Sequence, residues 1–250
     1  MISKEQRKRA LDDIRENIAR SGQHIYMVIG ETTPRFAYTI GVSESAGVEL
    51  ILAGAIFYMS DDVEKIILKT VAHLKASGDR KLVEVVGLGS FTLREVDSSW
   101  AKELMLGVFD YYQKKDIPAL QIVPDQDHWT IDVPNMSVPR STSQEPAWKW
   151  MRESWTYPVR KDSTAITDLA ALRGERITEA CRWEEDEWEL FAGAGPDVGK
   201  DETRVVALGM LLAVDPSLDP VVGLTIGTGM WRDDELSEWH AWERRGPSIA

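Results

Sequence analysis

The chain has 250 residues, 43 % hydrophobic and 28 % charged, with a net charge of −12. That is enough apolar material for a real core and enough length for one large or two small domains. No run of about 18 apolar residues occurs, so no membrane-spanning helix is expected. The single cysteine, Cys181, rules out an internal disulfide.

The charge is unevenly spread. Residues 1–160 hold 20 Lys and Arg against 22 Asp and Glu, whereas residues 161–250 hold 9 against 19. The last third should therefore repel nucleic acid and anionic membrane and attract a basic partner, unless the excess is a solubilising surface. The stretch Met1 to Arg7 leads into a charged amphipathic helix and lacks the apolar core of a secretory signal. Together with the lone cysteine, this gives a cytoplasmic location as the expectation.

In chain order, Ala10, Leu11, Ile14 and Ile18 share one helical face, and Ser21-Gly22 ends that helix. Residues 24–29, 36–42 and 49–53 read as strands, with a turn at Thr32-Thr33-Pro34. Ser60-Asp61-Asp62 opens a helix, with Ser60 as the capping hydroxyl and two acids at the positive end of the dipole. Val63, Ile66, Ile67, Val71 and Leu74 form its apolar face, and it stops near Gly78. Strands at 81–86 and 90–96, a helix over 98–113 and a strand at 119–123 complete an α+β layer.

From Pro124 to Pro158 prolines exclude long regular elements, while Trp129, Trp148, Trp150 and Trp155 demand a surface to cover. The predicted organisation is two α+β domains, 1–133 and 165–250. Each is a mixed or antiparallel sheet covered by helices, and a Pro/Trp-rich connector at 134–164 straps across one or both.

In the second domain residues 166–172 read as a short helix ended by Gly174, and 176–183 as a strand. Residues 187–191 form its hairpin partner, with Trp188 and Leu190 inward and Glu187 and Glu189 toward water. Glu184, Glu185 and Asp186 occupy the turn. A helix over 201–214 carries Val205, Leu208, Leu211 and Leu212 inward, and Trp239 and Trp242 fall on one helical face.

No chemistry is spelled out. His24, His73, His128 and His240 show no zinc spacing, and no phosphate loop or nucleophile elbow is present. Asp125, Asp127 and Asp132 lack the glycine and terminal glutamate of a calcium loop, and His128 reads as a loop residue rather than a base. Cys181 reads as a small buried apolar residue. No catalytic residue, metal or cofactor is assigned, and no basic stripe with interleaved aromatics supports nucleic-acid binding. Residues 34–42 admit two readings. One is a core strand whose small face (Ala37, Thr39, Gly41) packs on a helix. The other is a shallow groove, in which that small face lets a flat ligand or peptide approach the backbone, with the Tyr38 and Thr39 hydroxyls as handles and Phe36 as a further candidate groove residue.

Pro34-x-Phe-Ala-Tyr-Thr-Ile-Gly41, then Glu49-Leu50-Ile51-Leu52 and Gly54, and later Gln121-Ile-Val-Pro-Asp125, resemble a widespread bacterial domain family of unknown function over roughly residues 10–135. Val48 stands where that family has proline, and Gly22-Gln23-His24 where it has histidine-glycine-tryptophan. The resemblance carries no catalytic residue. Trp188-Glu-Leu-Phe-Ala-Gly193, Val206-Ala-Leu208, Asp215-Pro-Ser217, Gly227 and Arg232 resemble a small domain class among immunity proteins of bacterial toxin systems. That resemblance implies a cytoplasmic inhibitor that binds a toxin and blocks it, and with the acidic bias of the last third the expectation is a cognate, basic, secreted toxin.

The expected docking surface is Trp183, Glu184, Glu185, Asp186, Glu187, Trp188, Trp231, Asp233, Asp234 and Glu235, with tryptophan anchors inside an acidic rim. The alternative is a nucleotide- or flavin-binding protein or enzyme using the Phe36–Gly41 groove. A third reading is an adaptor or homodimer built on the connector.

Overall fold

A computed structural model describes residues 3–30, 32–195, 198–233 and 238–242. Asp234 and Glu235 of the expected docking surface lie outside the described residues. The fold is α+β with two mixed six-stranded sheets. The chain divides into two compact units: residues 1–29, 35–129 and 133–145 form the first, and 30–34, 130–132 and 146–250 the second.

The first unit begins with helix α1 (Lys4–Ser21), which starts in a reciprocal capping box between Ser3 and Gln6 and stops at Gly22, where φ is +80°. Strand β1 (His24–Val28) pairs antiparallel with β2 (Phe36–Ile40), and β2 with β3 (Glu49–Ala53), the short helix α2 (Ser43–Ala46) lying between them in the chain. The crossover to β6 (Ala119–Pro124), parallel to β3, contains helix α3 (Ser60–Ser77), the hairpin β4 (Leu82–Val85) and β5 (Gly89–Glu95), and helices α4 (Ser98–Leu104) and α5 (Leu106–Tyr112). The strand order is β1-β2-β3-β6-β5-β4.

As its periodicity demands, α3 buries Val63, Ile66, Ile67, Val71 and Leu74 against Ala37, Leu50, Leu52 and Phe91. Each such aliphatic chain contributes about 1.5–3 kcal/mol. Two local expectations are corrected. The α3 N-cap is Met59, without a side-chain cap; Ser60 is already helical, while Asp61 and Asp62 stay in the first turn. The helix expected over 98–113 breaks at Met105 (φ −100°, ψ 42°). The break brings Gly107 against the Tyr38 hydroxyl, where any Cβ would stand 2.8 Å from that oxygen.

The second unit contains β7 (Thr164–Asp168), helix α6 (Leu169–Leu172), β8 (Glu179–Arg182), β9 (Glu187–Phe191), β10 (Thr203–Ala207), helix α7 (Leu208–Val214), β11 (Thr228–Trp231) and β12 (His240–Ala241). The order is β10-β7-β9-β8-β11-β12, with β7 and β9 parallel and the other pairs antiparallel. The β8–β9 hairpin is as read from the sequence.

Three helical expectations are corrected. Residues 166–172 and 201–214 each turn out to be a strand that passes directly into a helix, at Asp168–Leu169 and at Ala207–Leu208. In both runs the β-branched residues form the strand and the Leu/Ala/Met residues the helix. Val205 is 61 % exposed rather than inward. Residues 239–242 include strand β12, not a helix.

The stretch 134–164 is shared between the units. In the first, the buried Gln121 carboxamide donates to the Pro134 carbonyl (2.7 Å) and accepts from the Met136 amide (3.2 Å). In the second, Trp148 and Trp150 are buried and their indole N–H groups donate to the carbonyls of Asp132 and Gly209.

Candidate functional site

In the first unit, β2 alternates between two differently covered faces. Ala37 packs beneath α3. Phe36 and Tyr38 face the other way and line a cleft of about 360 Å³ with residues of α1, β1, α4 and α5. The sequence reading placed the groove on the small-residue face, with Thr39 as a handle. The cleft is on the aromatic face, and Thr39 does not reach it. The Thr39 hydroxyl is fully buried; it donates to Glu49 Oε2 (2.5 Å) and accepts the Leu50 amide (2.9 Å).

Glu49 is also fully buried. Its Oε1 accepts the amides of Gly41 (3.0 Å) and Ser43 (2.9 Å) and the Tyr112 hydroxyl (2.7 Å). Burial raises its pKa above the usual carboxylate range, and the hydrogen bonds from Thr39, Ser43, Tyr112 and Gly41 oppose that rise. The arrangement ties the β2–β3 turn to the end of α5. It is a brace, with both carboxylate oxygens already occupied.

A pair that the sequence reading passed over sits where β6 ends. Asp125 Oδ1 lies 2.5 Å from Nδ1 of His128, and Oδ2 accepts the Ser90 amide at 2.7 Å. The imidazole stacks on Tyr58 (5.6 Å, 16°) and meets Phe57 edge-on. Burial works to raise the Asp125 pKa, but the Ser90 amide and His128 outweigh it, so the carboxyl sits below its ordinary value. Gly89, with φ +100°, permits this packing, since a Cβ there would lie 2.6 Å from Asp125 Oδ2. The spacing Asp125-x-x-His128 across one helical turn was the available signal. A carboxylate-oriented imidazole can move protons. Among the described residues no hydroxyl or thiol hydrogen-bonds to it, so no nucleophile is paired with this base.

In the second unit the expected docking residues separate. Trp188 is fully buried, its indole donates to the Val221 carbonyl at 3.3 Å, and the Arg182 guanidinium lies 4.4 Å from its ring. It is a core residue and does not lie on a docking face. Glu184 and Glu185 are exposed in the turn. Arg182 reaches back to the carbonyls of Glu184, Glu185 and Leu224, and Arg160 lies 3.9 Å from Asp186. The turn is therefore partly neutralised from within.

What the register assembles instead is a sheet face. Residues paired across strands point the same way, so Glu189, Cys181 and Gly229 share one face, and Glu179, Trp231 and His240 continue it. Trp183, Trp231 and Trp242 are 42 %, 41 % and 37 % exposed. Trp183 and Trp242 have ring centres 6.2 Å apart, and Trp231 meets His240 at 5.0 Å. The Trp183 indole donates to Glu189 Oε2 at 2.7 Å. Gly229 is required here because Trp242 lies flat on it, and a Cβ would stand 2.7 Å from the ring. Asp233 is exposed just past β11. Cys181, in the middle of this face, is buried; burial and then the charges of Glu179 and Glu189 push its thiol up to about 12, so it stays protonated and inert. Trp242 was foreseen only as a helical-face residue, and its place beside Trp183 follows from strand pairing.

Among the described residues no group of three or more His, Cys, Asp or Glu is placed to hold a metal ion, and no helix is long and apolar enough to cross a membrane. Residues 17–129 match the family model described as a domain of unknown function, DUF4262, so the N-terminal part of the chain is similar to that domain. No curated protein and no solved structure matches the chain.

Proposed function

We propose that the protein is a cytoplasmic immunity protein that binds and neutralises a secreted, basic antibacterial toxin through its C-terminal unit. The observation that carries this reading is the exposed tryptophan face of the second sheet. Trp183, Trp231 and Trp242 present aromatic area next to Glu187 and Glu189, in the part of the chain that holds nearly all the excess negative charge. Large aromatic side chains dominate interface hot spots, and a surrounding negative potential steers a cationic partner and fixes its register. The partly neutralised turn moves the weight of the interaction from Glu184–Asp186 to this face.

The test is capture of a partner by the full chain from bacteria that encode a secreted toxin beside its gene, followed by affinity measurements on the captured pair. The expected outcome is a basic protein whose toxicity the chain suppresses. Trp231→Ala should weaken the complex about tenfold or more, and Glu187→Lys with Glu189→Lys should slow association and remove its salt dependence. A complex with unchanged affinity in all these variants excludes the tryptophan face. Sedimentation showing a self-associated dimer with no foreign partner would favour the adaptor reading.

A further inference from the structure

We propose that the cleft of the first unit is a binding site for a compact, flat, uncharged and largely apolar small molecule. Tyr26, Tyr38 and Phe36 form its floor as a row of near-parallel rings, with centres 5.5 Å and 6.3 Å apart and interplanar angles of 23° and 15°. Leu11 and Ile14 of α1 form one wall, and Leu104 and Leu106 of α4 and α5 the other. Helix α1 buries only Ile14 completely, so its apolar stripe spans the opening without filling it. Leu106, 62 % exposed, stands at the rim.

The volume of about 360 Å³ lies at the low end of the range for ligand sites, roughly 300–1,000 Å³, and favours a ligand of one or two fused rings. A dry apolar cavity of about 150 Å³ already takes up benzene. Charge narrows the class further. The lining carboxylates are matched by cations: Asp110 pairs with Arg7 and Glu103 with Arg140, each at 2.5 Å. A phosphate-bearing ligand would have to take Arg7 from Asp110, and apart from the two tyrosine phenols the remaining lining is apolar or acidic. The nucleotide expected from the strand texture therefore fits poorly, and a neutral ring system fits well. The polar handles are the phenols of Tyr26 and Tyr38. The Tyr38 hydroxyl accepts the Gly107 amide (3.2 Å), which leaves its proton to be donated to a ligand carbonyl. Burial pushes its pKa up to about 12, which keeps that proton in place at neutral pH. The Arg7–Asp110 pair, exposed and so weak, links α1 to α5 over the opening.

The experiment titrates the full chain with coumarin, a flat neutral carbonyl compound, and in parallel with adenosine monophosphate and flavin mononucleotide, following the Gly107 amide by NMR and the melting temperature. The expected result is a saturable Gly107 shift with coumarin alone. Affinity should fall at least tenfold in Leu11→Trp, which fills the cleft, and severalfold in Tyr38→Phe, which removes the donor. Ala10→Trp fills the same space from an exposed helical position and serves if Leu11→Trp does not fold. No saturable shift, an affinity indifferent to all three substitutions, or tighter binding of either nucleotide would overturn the proposal.

Discussion

Glu49 shows how far one side chain can fix a local structure. Two amides and two hydroxyls converge on its carboxylate in a fully buried site. Removing the acceptor takes away a partner from the Thr39 and Tyr112 hydroxyls and the Ser43 amide, at about 1–3 kcal/mol for each that cannot reach water, while the Gly41 amide keeps the Tyr112 oxygen at 3.1 Å. Glu49→Leu should therefore cost several kcal/mol in denaturant unfolding, while Glu49→Gln, which retains one acceptor oxygen, should cost clearly less. The pH dependence has a definite sign. Because burial raises the folded-state pKa, ionisation opposes folding. The contribution of Glu49 is at its most favourable below the ordinary glutamate value of 4.5. It declines as pH rises through the higher folded value and is then flat. Relative to Glu49→Gln, the wild type should gain stability as pH is lowered through that window. An opposite slope in paired melting curves would mean that the hydrogen bonds outweigh desolvation.

At the scale of elements, Gly229 and Trp242 hold the last described strand in place. The Trp242 amide donates to the Gly229 carbonyl at 2.9 Å while its ring lies on the Gly229 backbone. Gly229→Val should push the indole away and release β12, so His240 and Trp242 amides should exchange faster and Trp242 fluorescence shift to the red. Unchanged protection would show that β12 is anchored elsewhere. Strand pairing of this kind was the least legible feature. The sequence displayed elements whose period matched their burial, such as α3 and the β8–β9 hairpin, because one face of each meets the core. It hid the switches at Asp168–Leu169 and Ala207–Leu208, where each strand runs for only five residues before the helix begins, too short for its alternation to stand out from the helical period that follows. The tryptophan face was legible only in part. Trp183 and Trp231 stood out for their acidic neighbours, and the inward side of Trp188 followed from its alternation with Glu187 and Glu189 even though it was also counted among the docking residues; the placement of Trp242 depends on register, which long-range pairing sets. The aromatic cleft was misread by one face of β2, because helices meet both faces and the strand pattern does not show over which of them a gap is left.

At the scale of the whole molecule, the sequence boundary at 133–134 falls inside the first unit, and the consequences can be worked out. Residues 133–145 cluster with that unit. They supply Met136, which is fully buried, and the two backbone groups that satisfy Gln121 in the core strand β6. They also supply Arg140, whose guanidinium pairs with Glu103 and lies 5.2 Å from the Trp100 ring. Cutting after residue 133 leaves a fully buried carboxamide unpaired, at about 1–3 kcal/mol. It also loses the burial of Met136, at about 1.5–3 kcal/mol, and the Arg140–Glu103 ion pair. Since 1 kcal/mol shifts the midpoint of a domain of this size by several degrees, a fragment of residues 1–133 should melt on the order of 10 °C below one of residues 1–145, or not fold at all. Circular dichroism melts of the two fragments decide the point. Equal midpoints would show that residues 134–145 dock without supporting the sheet, and two unfolded fragments would show that the first unit requires the rest of the chain.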